Sequence, residues 1–284
     1  VVMVVGSGFN QYFQDNEQMF TALDRYRNRT KAVIWCDCND STALTLNTGV
    51  LSRVDIYAKS QLLKKRQYYS KSRHYGVRVF SDYYHRIMSI DDEKEQYSIP
   101  VSEDDVAKLR LSWNIGLGDW NMWHRFGKIG KGIRFLWPEA KYRFNLVLPD
   151  AIKRKIDVSY RGSDHHQVST IGYQRAETIR LLTQMKTQNI NRTFIAGGKI
   201  PYRKYREEMS QSKIVVSPFG WGEICFRDFE CFMSGAALLK PNMDHLDTWP
   251  NFYLHEKTYI PHAWDFSDFV DKVFSFLDSP EELR

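Results

Sequence analysis

The sequence predicts an α/β protein made of two parallel-sheet halves. Its opening run Val1 to Val5 is continuously apolar and ends at Gly6-Ser7-Gly8, and an amphipathic stretch with Met19, Phe20 and Leu23 on one side follows over about 16–26. That order is strand, tight turn, helix. Short β-branched or aromatic runs at 32–36, 54–58 and 77–81 then alternate with helical or turn-rich stretches, and the alternation restarts at 155–160, which demands parallel strands. With 284 residues, 43% of them hydrophobic, the chain can bury a sizeable core in one large or two small domains. The break is expected between 140 and 152, giving halves of 1–145 and 146–284.

In the first half, the dinucleotide fingerprint would want a glycine at position 11, where Gln11 stands, which disfavours a nicotinamide or flavin role. Asp15 or Asn16 is a candidate cap for the first helix. Loops after the next strands offer Asp37, Lys59 and the cluster F-S-D-Y-Y-H-R, with Asp82 and His85 at the carboxyl end of a strand, where open α/β sheets bind ligands. His85 among tyrosines also fits a structural hydrogen-bonder. Ser102 is expected to cap a helix over 103–111. The segment 113–137 carries four tryptophans, either a stacking platform for a sugar or base or an aromatic wedge between domains.

In the second half, Arg161 and Gly162 follow the strand at 155–160, then a helix is expected over 172–185 and a strand at 193–196. The loop G-G-K-I-P-Y-R-K-Y-R leads into a helix near 202–210 and a strand at 213–217. Next comes S-P-F-G-W-G-E-I-C-F-R-D-F-E-C-F-M-S-G, a glycine-bracketed turn and a helix over 223–234 that places Glu223, Arg227 and Glu230 on one face. A helix starting after a glycine turn favours phosphate; Arg227 offers a fork of donors to a diphosphate and Glu230 an acceptor for ribose hydroxyls. The competing reading makes Glu223 and Arg227 a solvated i,i+4 pair. Strands at 236–240 and 258–261 and an amphipathic helix over 265–277 close the chain.

The pattern P-x-G-x-G-E-x-x-x-R-x-x-E-x-x-x-x-G, from Pro218 through Gly220, Gly222, Glu223, Arg227 and Glu230 to Gly235, resembles the donor-binding segment of GT-B glycosyltransferases, especially exostosin-like members. Gly6 to Gly8 followed by Tyr12 and Asp15 is similar to the first loop of their amino-terminal lobe. The resemblance implies two Rossmann-like lobes facing across a cleft, the first holding an acceptor and the second a nucleotide sugar. It implies that Arg227 contacts the pyrophosphate and Glu230 the ribose, that Arg161 and Gly162 form a phosphate loop, and that Lys199, Ile200, Tyr202 and Tyr205 lie near base and phosphates, with Trp221 in the donor turn. Eight positions before Glu230 stands Gly222, where many GT-B enzymes carry a glutamate. An inverting displacement is expected, with Asp15 as base and His85 or Asp82 behind it. The donor expected is a UDP-sugar, UDP-xylose being one guess, with no cofactor; the absence of D-x-D from the sequence agrees with metal independence.

The charge balance of 40 basic and 34 acidic residues, +6 overall, does not choose between nucleic acid, an anionic membrane surface and a phosphorylated small substrate. A nucleic-acid module using the basic stretch Lys199 to Arg206 is the competing class, and a nucleotide-sugar epimerase on the same fold a third. Cys36, Cys38, Cys225 and Cys231 lack zinc or disulfide-framework spacing, so reduced thiols and a cytoplasmic location are expected. No apolar run approaches ~18 residues, so no stable membrane insertion is expected.

Overall fold

The computed structural model describes residues 1–37, 39–43, 48–113 and 153–279. The expected domain break and the tryptophan-rich segment beyond Trp113 lie outside the described residues. Trp113 itself packs edge-on against Trp249 of the second half, ring centroids 4.4 Å apart.

The first sheet opens with β1 (Val2–Gly6), α1 (Asn16–Arg27), β2 (Ala32–Asp37) and β3 (Ile56–Lys59). In β2, Val33, Trp35 and Asp37 alternate inward, and α1 buries Met19 and Leu23 against the sheet. A short β4 (Gln61–Leu63) follows, then α2 (Val79–Met88) and β5 (Leu109–Leu111). The sheet is parallel throughout, in the order β1-β2-β3-β5.

Here the structure corrects two expectations. Residues 77–81 are not a strand: Gly76 and Val77 are both left-handed, with φ of 62° and 55°, and α2 begins directly after Arg78. The buried pair Phe80 and Tyr84 has helical spacing, and that period outcompetes the short β-branched run. The expected helix over 103–111 is one turn, Glu103–Val106, capped by the Ser102 hydroxyl accepting from Asp105 N–H at 3.1 Å; the strand β5 then takes the sheet edge.

The second lobe runs β6 (Ile156–Tyr160), α3 (Ser169–Gln188), β7 (Phe194–Ala196), α4 (Tyr202–Ser210), β8 (Ser212–Val216), α5 (Phe226–Ser234), β9 (Ala237–Pro241), β10 (Leu246–Thr248), β11 (Ile260–His262) and α6 (Phe269–Asp278). Its five-stranded sheet has the order β11-β9-β8-β6-β7, again all parallel. All five residues of β6 are buried, as a strand covered on both faces requires. The chain thus has the two-lobed, Rossmann-like α/β architecture that the sequence predicts.

The lobes are tied together. β4 of the first pairs antiparallel with β10 of the second, Leu63 opposite Leu246. Phe80 and Phe219 meet with centroids 5.1 Å apart, and the Tyr84 hydroxyl donates to Trp264 O at 2.8 Å. One apolar cluster runs through both lobes, from Val5 and Trp35 to Val215 and Leu238. Each lobe also buries an ion pair: Asp37 with Lys59 at 2.8 Å, and Asp228 with Lys240 at 3.1 Å. Asp37 and Lys59 therefore serve each other rather than a ligand. No helix among the described residues is long and apolar enough to cross a membrane.

Candidate functional site

The donor-like motif occupies the turn between β8 and α5. Its shape is fixed from outside: Phe219 N–H donates to Gln174 Oε1 at 3.1 Å and Gly220 N–H to Gly222 O at 3.0 Å. Asp228 closes the turn, accepting from Cys225 N–H at 3.1 Å and from the Ser217 and Tyr253 hydroxyls at 2.5 and 2.7 Å. The helix accordingly starts at Phe226, three residues later than the sequence predicts. Glu223 falls outside it and does not share its face with Arg227 and Glu230.

Arg227 and Glu230 line a cavity of about 320 Å³ with Tyr202 and Tyr205 of α4, Arg175 of α3, and Pro218 and Gly220 of the turn. The Arg227 guanidinium lies 4.9 Å over the Tyr160 ring, and Nη2 donates to Arg161 O at 2.8 Å. Its Nε is buried with no hydrogen-bond partner among the described residues. Opposite, the Tyr205 hydroxyl donates to Glu230 Oε2 at 2.9 Å, and burial pushes that phenol well above its ordinary range, so it stays a donor at neutral pH. Arg175 is half-buried, and among the described residues its guanidinium has no ion pair or hydrogen bond. A cavity with two arginines, one carboxylate and an aromatic pair suits a ligand with anionic, hydroxylated and flat parts.

The other expected donor residues sit elsewhere. Arg161 forks onto Glu208, with Nε to Oε2 at 2.7 Å and Nη2 to Oε1 at 2.9 Å, and its Nη1 donates to Gly197 O at 2.8 Å. Its carbonyl, not its charge, meets Arg227. A side chain at Gly162 would collide with the Tyr160 hydroxyl, so that glycine answers to packing. Lys199 is exposed and Ile200 half-buried, and neither lines the cavity.

Trp221 and Gly222 turn toward the seam between the lobes. A Cβ at Gly222 would land on the carbonyl of Asp40 in the first lobe, a close approach only glycine permits. Glu223 is fully buried there, accepting from Thr42 Oγ1 and from Gln61 Nε2 at 3.1 Å, with His245 Nε2 3.7 Å away. Burial acts to raise its carboxyl, but His245 and Thr42 outweigh it and hold the group below the usual carboxylate range. Glu223 fastens the lobes, which corrects its assignment to the donor.

None of the three expected bases lines this cavity. Asp15 caps α1, accepting from Gln18 N–H at 2.9 Å. Asp82 accepts from Tyr75 N–H and Arg86 Nε, both at 3.1 Å; burial acts to raise it, and His74, Tyr75 and Arg86 outweigh that and lower it. His85 has Nδ1 2.7 Å from Asp91 Oδ1 and its ring stacked on Tyr75 at 3.9 Å. Each has at least one polar atom engaged in local structure.

Sequence reasoning missed Arg175, Cys225 and Phe226 at the cavity, and a second cavity of about 320 Å³ at the seam, lined by Asn39, Asp40, Ser41, Arg78, Gln96 and Trp221. Only Asp40 had a signal: it follows the carboxyl end of a strand. Nothing local marks Arg175.

No family model matches the chain, and no curated protein matches it by sequence. Among solved structures, it is similar to the "GtfA/B complex" at 10% identity and a TM-score of 0.42, covering 94% of this chain and 54% of that one. It is also similar to the "pneumococcal O-GlcNAc transferase GtfA in complex with UDP and GlcNAc", at 9% identity and a TM-score of 0.36, covering 94% of this chain and 53% of that one. The chain spans about half the length of the structures it matches.

Proposed function

We propose that the protein is a glycosyltransferase that binds a nucleoside diphosphate sugar in the cavity between α3, α4 and α5 and moves its sugar to a hydroxyl of a glycan. The observation that carries this reading is the pairing of Arg227 with Arg175: among the described residues the buried Arg227 Nε has no hydrogen-bond partner and Arg175 has none of its donors engaged. Two such cations beside one cavity call for a ligand of about two negative charges. Glu230, held by the Tyr205 hydroxyl, supplies an acceptor for ribose hydroxyls, and Tyr202 and Phe226 supply flat surface for a base.

The chemical problem is a diphosphate leaving group whose charge grows as the glycosidic bond breaks. Arg227 stabilises that charge from a fixed position with Arg175 beside it, so the reading needs no metal. A UDP-sugar is the favoured donor, a small sugar such as xylose is one guess, and transfer proceeds with inversion.

The test is thermal denaturation against UDP-, GDP-, ADP- and dTDP-sugars, since a ligand at a hundred times its Kd adds about 2.7 kcal/mol. A shift for one nucleotide family, absent in Arg227→Ala, is expected. No shift with any of them in a folded sample would sink the reading.

A further inference from the structure

The turn between β8 and α5 has two sides. Pro218 and Gly220 line the cavity around Arg227 and Glu230, and every residue that lines this cavity belongs to the second lobe. Phe219, Trp221, Gly222 and Glu223 are held instead from the first lobe. Phe219 meets Phe80 with ring centroids 5.1 Å apart, Gly222 lies against the Asp40 carbonyl, and Glu223 accepts from Thr42 Oγ1 and Gln61 Nε2. Trp221 is held by Arg78, whose Nε donates to Trp221 O at 2.5 Å and whose guanidinium lies 4.9 Å over the indole. Gly220 and Trp221 O sit on adjacent planar peptides, closed by Gly220 N–H donating to Gly222 O at 3.0 Å, so displacing the carbonyl moves the glycine that walls the cavity.

Arg78 is a buried charge that no step of the proposed reaction uses. Its aim is built into the backbone before it. Gly76 and Val77 are both left-handed, and a Cβ at Gly76 would come within 2.7 Å of the Ser81 Cβ. A β-branched residue at the φ of 55° that Val77 adopts is strained, and such strain persists where the surroundings over-determine it. Here the Ser41 hydroxyl donates to Val77 O at 3.1 Å, and Arg78 Nη1 donates to Gly76 O at 2.8 Å. Strained backbone and a buried guanidinium thus converge on one carbonyl and one ring of the donor turn.

We propose that Arg78 is a positioning residue for the nucleotide sugar: from the first lobe it fixes the Trp221 carbonyl, and through Gly220 it sets the wall against which the diphosphate meets Arg227. The proposal rests on the glycosyl-transfer reading above. Arg78 acts through the turn and touches no ligand atom. A site wholly within one lobe is in this way tuned by a side chain of the other, because a rigid wall holds a ligand in register and a loose one does not.

The experiment reads, by calorimetry, the Kd of the nucleotide sugar that stabilises the wild type, together with the unliganded melting temperature, for Arg78→Ala, Arg78→Lys and Tyr84→Phe. Tyr84→Phe removes a different hydrogen bond between the lobes, the one to Trp264 O, which leaves the turn untouched. Arg78→Ala should weaken binding by about 10–100-fold. Arg78→Lys keeps a cation and a donor but not the planar stack, so its Kd should fall between those of Arg78→Ala and wild type, and it carries the test if Arg78→Ala does not fold. Tyr84→Phe should bind as wild type does. Wild-type affinity in folded Arg78→Ala, or in Arg78→Lys where that is the variant that folds, would overturn the assignment. So would a Tyr84→Phe that binds as weakly as Arg78→Ala, which would trace the effect to loosened lobes. Failure of the underlying reading shows separately, as a wild type that no nucleotide sugar stabilises, and it would take this inference with it.

Discussion

Arg161 and Glu208 form a two-pronged ion pair that joins the loop after β6 to α4, with both N···O distances under 3 Å and each side chain about a quarter exposed. The pair turns a residue that the motif suggests for phosphate into a strut, one whose carbonyl positions Arg227. Arg161→Ala and Glu208→Ala should each cost about 1–3 kcal/mol in urea unfolding. A double variant should cost clearly less than the sum, because the two share one interaction.

The two arginines of the donor cavity differ in what holds them. Arg227 is anchored by Tyr160 and the Arg161 carbonyl, whereas among the described residues Arg175 makes no hydrogen bond or ion pair. Arg175→Ala should weaken binding of the stabilising nucleotide sugar by about 10–100-fold, read by calorimetry, and leave the unliganded melting temperature near that of wild type. An unchanged Kd would remove Arg175 from the site.

Gly222→Ala forces a methyl into the Asp40 carbonyl, main chain against main chain across the seam. Neither partner is a flexible side-chain tip that can swing away. The variant should lose about 1–3 kcal/mol of stability by urea titration, and the seam should become more accessible to hydrogen exchange at β4 and β10.

His262 is buried against Phe266 and Phe269, and burial pushes it down from 6.5 to about 4. Between those values the unfolded chain carries the proton and the folded chain does not, so stability falls as pH drops through that window. The contribution is about 3 kcal/mol, present in full above pH 6.5 and gone near pH 4. His262→Phe should flatten the acid side of a stability-against-pH curve by roughly that amount; a curve of unchanged slope would show another group to be responsible.

The second lobe was the more legible from sequence. Strands expected at 155–160, 213–217 and 236–240 are found at Ile156–Tyr160, Ser212–Val216 and Ala237–Pro241. Each is a short buried run bounded by turn residues, and both faces lie under helices, so local hydrophobicity and final burial agree. The strand expected at 77–81 failed because a left-handed glycine and valine end the preceding turn there, and a backbone angle leaves no period in the residue string.

The sequence by itself determined the parallel α/β class, the order of elements in the second lobe, and the nearness of Arg227, Glu230, Pro218 and Gly220, residues of one turn and one helix. Tertiary structure alone decided how each charge is used. Arg161 is neutralised by Glu208, 47 positions away. Glu223 is buried against Thr42 and Gln61, 181 and 162 positions away. Arg175, on α3, meets Arg227 at a cavity, and Asp40 meets Trp221 across the seam. Periodicity is a property of neighbours along the chain, whereas the partner that satisfies or spares a charge is chosen by packing between distant segments.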